Sequence, residues 1–167
     1  FMSALDEIAW LFNLRGRDVE CNPVFYAYAL ISQEEAFLFT NIDKLLAELQ
    51  VKLSNDGVEL QPYQEVTTYL NTLAPERQVL IDPFTTSIQL SDSIPCKTLQ
   101  RESIVRWMKS IKNETEIAHF RATLVKDGVA LVHAYRWLEA SLKERSVSEV
   151  ELGDAIADFR SKQAHYY

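Results

Sequence analysis

The feature that most limits how this chain can fold begins at Asn113. Asn113 and Glu116 form a capping-box pattern, and Ile117, Phe120, Leu124, Leu131, Tyr135 and Leu138 then recur at intervals of three, four or seven. This predicts one helix over 114–144. Its roughly 31 residues would span about 46 Å at 1.5 Å per residue. A compact globule of 167 residues is only about 40 Å across. The helix must therefore cross the whole body or project from it. A further capping pattern, Ser148 with Glu151, opens a last helix with Val150, Ile156 and Phe159 on one face, ending near Gln163. These helices have no sheet of their own. They read as the start of a second domain whose remainder is absent, and the immediate entry into a helix after Phe1-Met2-Ser3 also suggests a chain cut from something longer.

Before residue 100 the pattern is different. Ser3 with Asp6 is a possible cap for a helix over 4–13, whose apolar positions are Leu5, Ile8, Leu11 and Phe12. Residues 24–31 and 36–40 are rich in Val, Phe, Tyr, Ile and Thr and predict a β-hairpin. Asn41 can cap a helix carrying Leu45, Leu46 and Leu49, and Asn55-Asp56-Gly57 is a turn signal before a short strand at 58–60. Pro62 can open a helix with Val66, Tyr69, Leu70 and Leu73 on one face. Strands are expected at 78–82 and 94–99, with Asp82-Pro83 capping a helix over 83–90 between them. A helix over 102–111 follows. Strands alternating with helices predict an α/β layer architecture.

Composition excludes several classes. At 47% apolar and 25% charged residues the chain is an ordinary globular sequence, long enough to bury a core without disulfides. A net charge of −7 argues against nucleic acid or an anionic membrane as partner. The apolar runs are too short for a membrane-spanning helix, and no signal peptide is expected. Cys21 and Cys96 make neither a disulfide framework nor a metal spacing, and read as reduced thiols in the cytoplasm.

Motifs for chemistry are missing. With four glycines there is no phosphate-cradling loop, and there is no GxSxG, CxxC or HExxH. Glu116 and His119 make a single ExxH pair, but Glu116 already serves the helix cap. His133 has no carboxylate within a helical turn and reads as packed or solvated. Asn113-Glu114-Thr115 is a glycosylation sequon better used as a cap. Trp10, Trp107 and Trp137 read as core or interface residues, and Gly128, inside the long helix, as a site of close helix packing. The polar loop 14–23 permits two readings. In one it is a connection, turned by Gly16 and held by a local bond of Asp18. In the other Arg15 is a fixed cation for a carboxylate and Asn22 a donor.

That loop lies within 3-SALDEIAWLFNLRGRDVECNPVFYAYALIS-32, which closely resembles the start of the middle domain of three-domain aminopeptidase P, the Xaa-Pro aminopeptidases. Residues 109-KSIKNETEIAHFRATLVKDGVALVHAYRWLE-139 resemble the linker and first helix of that family's catalytic pita-bread domain. The string 159-FRSKQ-163 resembles the end of its next helix. The middle, from about 33 to 100, diverges. The resemblance implies a mixed β-sheet flanked by helices, like the creatinase N-terminal domain, over 1–108, followed by the first helices of a truncated catalytic domain over 109–167. It implies a parent enzyme, a cytoplasmic homodimer, that removes the N-terminal residue from peptides with proline second, using two manganese ions. The ligands in that family are two aspartates, a histidine and two glutamates, all beyond the FRSKQ element. The resemblance therefore gives this chain no catalytic or metal-binding residue, and His165 is not equated with the family's active-site histidine. It places Arg15 and Asn22 beside the substrate cleft of the intact enzyme and gives Cys21 no catalytic role. The alternative is a non-catalytic α/β module that binds a partner through the 114–144 helix.

Overall fold

The computed structural model describes residues 1–166, which divide into two compact units at Ile111 and Lys112. In the first unit a short helix, α1 (Leu5–Leu11), leads through the 12–26 loop to a hairpin, β1 (Ala27–Ile31) and β2 (Ala36–Thr40). Then come α2 (Ala47–Asn55), β3 (Val58–Pro62), α3 (Val66–Asn71), β4 (Gln78–Ile81), α4 (Ile88–Asp92), β5 (Lys97–Gln100) and α5 (Ile104–Ser110). β2 lies between an antiparallel β1 and a parallel β3, so this three-stranded sheet is mixed. β4 and β5 form a separate parallel pair.

Period-two alternation creates two apolar faces. Phe37 and Phe39 of β2 turn to one side, with Leu30, Val79 and Ile81, and are covered by Val66 and Leu70 of α3 and Leu90 of α4. Leu38, Ala27 and Ala29 turn to the other side, against Ile8 and Ala9 of α1 and Leu53 of α2. The first cluster takes residues from both sheets, so the sheets share one core. The unit is thus a layered α/β fold, as the alternation of strands and helices predicts.

Several local expectations yield to tertiary bonds. Ser3 does not cap α1, because its hydroxyl donates to the Thr85 carbonyl at 2.7 Å and Ala4 occupies the cap position. Asn41 caps a 3-10 turn, Ile42–Lys44, instead of a helix. Pro62 ends β3, an edge strand where a missing N–H costs no ladder bond, and the helix starts only at Val66. Asp82 does not start a helix either. One carboxylate oxygen accepts from the Phe84 N–H at 2.9 Å and the other from the Ser103 N–H at 3.1 Å. Ser87 caps the helix that follows.

The second unit is a helix pair. α6 (Glu114–Ser141) opens with the Asn113–Glu116 capping box, and α7 (Glu149–Ser161) with the Ser148–Glu151 box. α6 spans 28 residues, about 42 Å, and stops three residues short of the expected end. Arg160 of α7 donates to Asp127 of α6 at 2.6 Å, and the His133 ring stacks on Phe159 with centroids 5.7 Å apart. Only Ala130 and Ala134 of α6 are buried. Ile117, Phe120, Leu124, Val132 and Tyr135 form an exposed stripe. Gly128 lies on it, and a Cβ there would meet nothing within 4 Å, so packing on α7 does not explain this glycine.

Candidate functional site: the Arg15–Asn22 loop

The loop is anchored to the end of α1. Asn13 takes a left-handed conformation at φ 50°, which asparagine tolerates better than most residues. The Leu14 N–H then reaches the Ala9 carbonyl at 3.0 Å and the Asn13 N–H the Trp10 carbonyl at 3.2 Å. Together they make a Schellman closure, with Leu14 and Ala9 buried in the same cluster. Arg15 adds to it. Its Nη1 donates to the carbonyls of Ala9 and Leu14, both at 2.9 Å. The guanidinium thus caps the helix end, where a cation is favoured by the helix dipole.

Gly16 does not act through a special turn conformation. It permits a close approach: a Cβ there would stand 2.6 Å from the Phe25 Cβ and 3.0 Å from the Val24 carbonyl oxygen. The Gly16 N–H donates to the Pro23 carbonyl at 3.3 Å and the Asp18 N–H to the Val24 carbonyl at 3.2 Å, so the two limbs of the loop lie along one another. At the tip the Asn22 N–H closes on the Val19 carbonyl at 3.3 Å, with Cys21 at φ 58°.

Asp18 joins this loop to the hairpin. One carboxylate oxygen accepts from Lys44 Nζ at 2.5 Å and the other from the Tyr26 N–H at 3.0 Å. The Lys44 hydrogen bond, with the Tyr26 N–H adding to it, holds the Asp18 carboxyl below its ordinary range. Nearby, α1 and α5 are tied by two ion pairs. Buried Glu7 accepts from Arg106 Nε at 3.2 Å, and Asp6 from Lys109. The Lys109 hydrogen bond and charge hold the Asp6 carboxyl below its ordinary range against the opposing effect of burial. Sequence reasoning did not find Lys44, Glu7 or Arg106. Their partners are 26 and 99 residues away, and no local pattern marks them.

Arg15 and Asn22 are thus both exposed on one well-tied loop. Arg15 spends Nη1 on the chain itself, while Nε and Nη2 make no hydrogen bond among the described residues. Those two donors and the Asn22 amide are what the loop can offer a peptide carboxylate or carbonyl. It holds no nucleophile–base pair. Nowhere among the described residues do three or more His, Cys, Asp or Glu come together so that they could hold a metal. Glu116 is used in its cap, Trp107 is exposed on α5, which leaves the interface half of its core-or-interface reading, and no described helix is long and apolar enough to cross a membrane.

A sheet covered by helices on both faces, with a hydrogen-bonded loop after its first helix, defines the class of fold. The chain belongs to the Creatinase/Prolidase N-terminal domain family, whose model matches residues 1–116. It is 34% identical to a probable Xaa-Pro aminopeptidase P of Sordaria macrospora, over 99% of this chain and 29% of that protein. It is 31% identical to aminopeptidase P2 of Arabidopsis thaliana, over 97% of this chain and 27% of the relative. The fold is similar to the crystal structure of X-prolyl aminopeptidase from Caenorhabditis elegans, described as a cytosolic enzyme with a di-nuclear active site. That match has a TM-score of 0.87 at 29% identity, and covers 98% of this chain and 28% of that one. The chain therefore spans less than a third of the length of the relatives it matches.

Proposed function

We propose that this chain is part of a Xaa-Pro aminopeptidase, with residues 1–108 its creatinase-like middle domain and 109–167 the first helices of its catalytic domain. The observation that carries the reading is the extent of the likeness. Nearly the whole chain matches peptidases of this kind in sequence, and one of them in fold, while covering only a fraction of each. In this reading the intact enzyme is cytoplasmic and homodimeric. It binds two manganese ions and releases the N-terminal residue from peptides with proline second. The described residues offer no donor set for those ions, so no step of the hydrolysis is assigned to them. Arg15 and Asn22 would border the substrate cleft, shaping it without performing chemistry.

The α6 stripe fits the same reading. Phe120, Leu124 and Tyr135 are each more than half exposed, an arrangement that usually marks a buried interface. The open space at Gly128 would let another backbone approach closely. The test is an assay of the full-length protein on Xaa-Pro-Xaa peptides with manganese. Release of the first residue by the full-length protein, and none by this chain alone, is expected. No release by the full-length protein would refute the reading. The exposed stripe also suits the second reading, a non-catalytic module docking a partner through the 114–144 helix. A gene that stops at Tyr167 would favour that module.

A further inference from the structure

Phe1 and Met2 lie between the two sheets. Met2 exchanges backbone hydrogen bonds with Ala29 of β1, at 2.8 and 3.0 Å, and the Phe1 nitrogen donates to the Leu80 carbonyl of β4 at 2.9 Å. Their side chains alternate as in a strand. Phe1 joins the cluster of Leu30, Phe37 and Val79, and Met2 packs on the opposite cluster with Ala29 and Ile8. These two residues already bridge β1 to β4.

Beyond Phe1 the space between the sheets is open. In the hairpin the Ser32 N–H donates to the Glu35 carbonyl at 2.8 Å, so Tyr28, Leu30 and Ser32 turn their backbone groups toward β2. Alternation turns those of Ala29 and Ile31 the other way. Across the gap, the Ile81 carbonyl accepts from the Arg101 N–H on the β5 side, whereas Leu80 accepts from Phe1. Gln78, two residues from Leu80, therefore also aims its backbone groups into the gap. Two cavities open there. One, of about 460 Å³, is bordered by Leu30, Gln33, Leu73 and Val79, and the other, of about 280 Å³, by Met2, Glu7, Leu11 and Ile104. Phe1, Ile31 and Leu80 border both, so the cavities are the two faces of a single slot.

We propose that this slot is the seat of a further β-strand, joined in line to the amino group of Phe1, which unites the two sheets into one. The Met2–Ala29 pair fixes its register. The residue next before Phe1 stands opposite Ile31, and its side chain enters the 280 Å³ cavity. The residue before that one points into the 460 Å³ cavity, beside Leu73 and Val79. Both positions call for apolar side chains of moderate size. The Phe1 ammonium supports this occupant. Burial lowers its pKa to about 6, whereas an amide in its place would donate to Leu80 without desolvating a charge. The geometry of the slot carries this independently of the peptidase reading.

The test extends the 1–167 chain before Phe1 with Lys-Thr-Val-Val, or with Gly-Ser-Gly-Ser as control, and follows amide hydrogen exchange by NMR. With the valine extension the Ile31 and Gln78 amides should exchange about tenfold more slowly, or slower still, than in the control, and the thermal midpoint should rise. Ile31→Pro removes a slot-facing N–H and no β1–β2 bond, so the variant should fold yet lose most of the gain. Equal exchange at Ile31 in both extended chains, or a gain untouched by Ile31→Pro, would overturn the proposal.

Discussion

The two units solve the same problem in opposite ways. In the first, Phe39, Leu38, Leu70, Ile8 and Ile81 are at most 1% exposed, each contributing about 1.5–3 kcal/mol of burial. In the second, the only buried residues of α6 are two alanines, and α7 has none. The α6–α7 pair is specified by its ends, through two complete capping boxes, more than by its middle. A helix pair can thus be locally well written and still lack a core of its own. The contrast shows which part of this chain carries its own core and which presents a surface.

The largest test of the contrast is Phe39→Ala, expected to cost about 3–5 kcal/mol of first-unit stability in urea unfolding. A cost near zero would break the claim that this unit carries its own core. A smaller effect comes from Phe1. Burial lowers its amine from 8.0 in the unfolded chain to about 6. The unfolded state therefore binds more protons between those values, and stability should rise as pH goes from about 6 to 8. The upper bound is about 2–3 kcal/mol, and it should vanish on N-terminal acetylation. In the second unit, Gly128→Ala meets open space and should stabilise α6 by about 1 kcal/mol in this chain. In the full-length protein the same change should lower stability or turnover. Smallest of all is Phe120→Ser, expected to shift the stability of this chain by no more than about 0.5 kcal/mol while improving its solubility. A cost like that of Phe39→Ala would erase the difference between the units.

What the sequence made legible follows the same division. The capping boxes at Asn113 and Ser148 and the 27–31/36–40 hairpin depend on residues close in sequence, and the structure contains them. Ser3 and Asp82 misled because their side chains are drawn to Thr85 and Ser103, about 82 and 21 residues away. The separation of β4–β5 from the first sheet was not legible either, because strand order is set by long-range pairing and no local pattern encodes it. At the candidate site the exposure of Arg15 and Asn22 followed from a polar loop. The tie of Arg15 to the end of α1 did not, because it depends on Asn13 adopting φ 50°. Gly16 was noticed for turning the chain, yet it is needed for its contact with Phe25.

In the proposed reading, α6 presents a face made to be covered by the rest of a longer enzyme. Val125, 68% exposed beside the stripe, offers a direct probe. Val125→Cys, in a Cys21→Ser background, would be labelled with a maleimide in the 1–167 chain and in the full-length protein. The account predicts rapid labelling of the short chain and protection of the full-length protein. Equal labelling of both would contradict it.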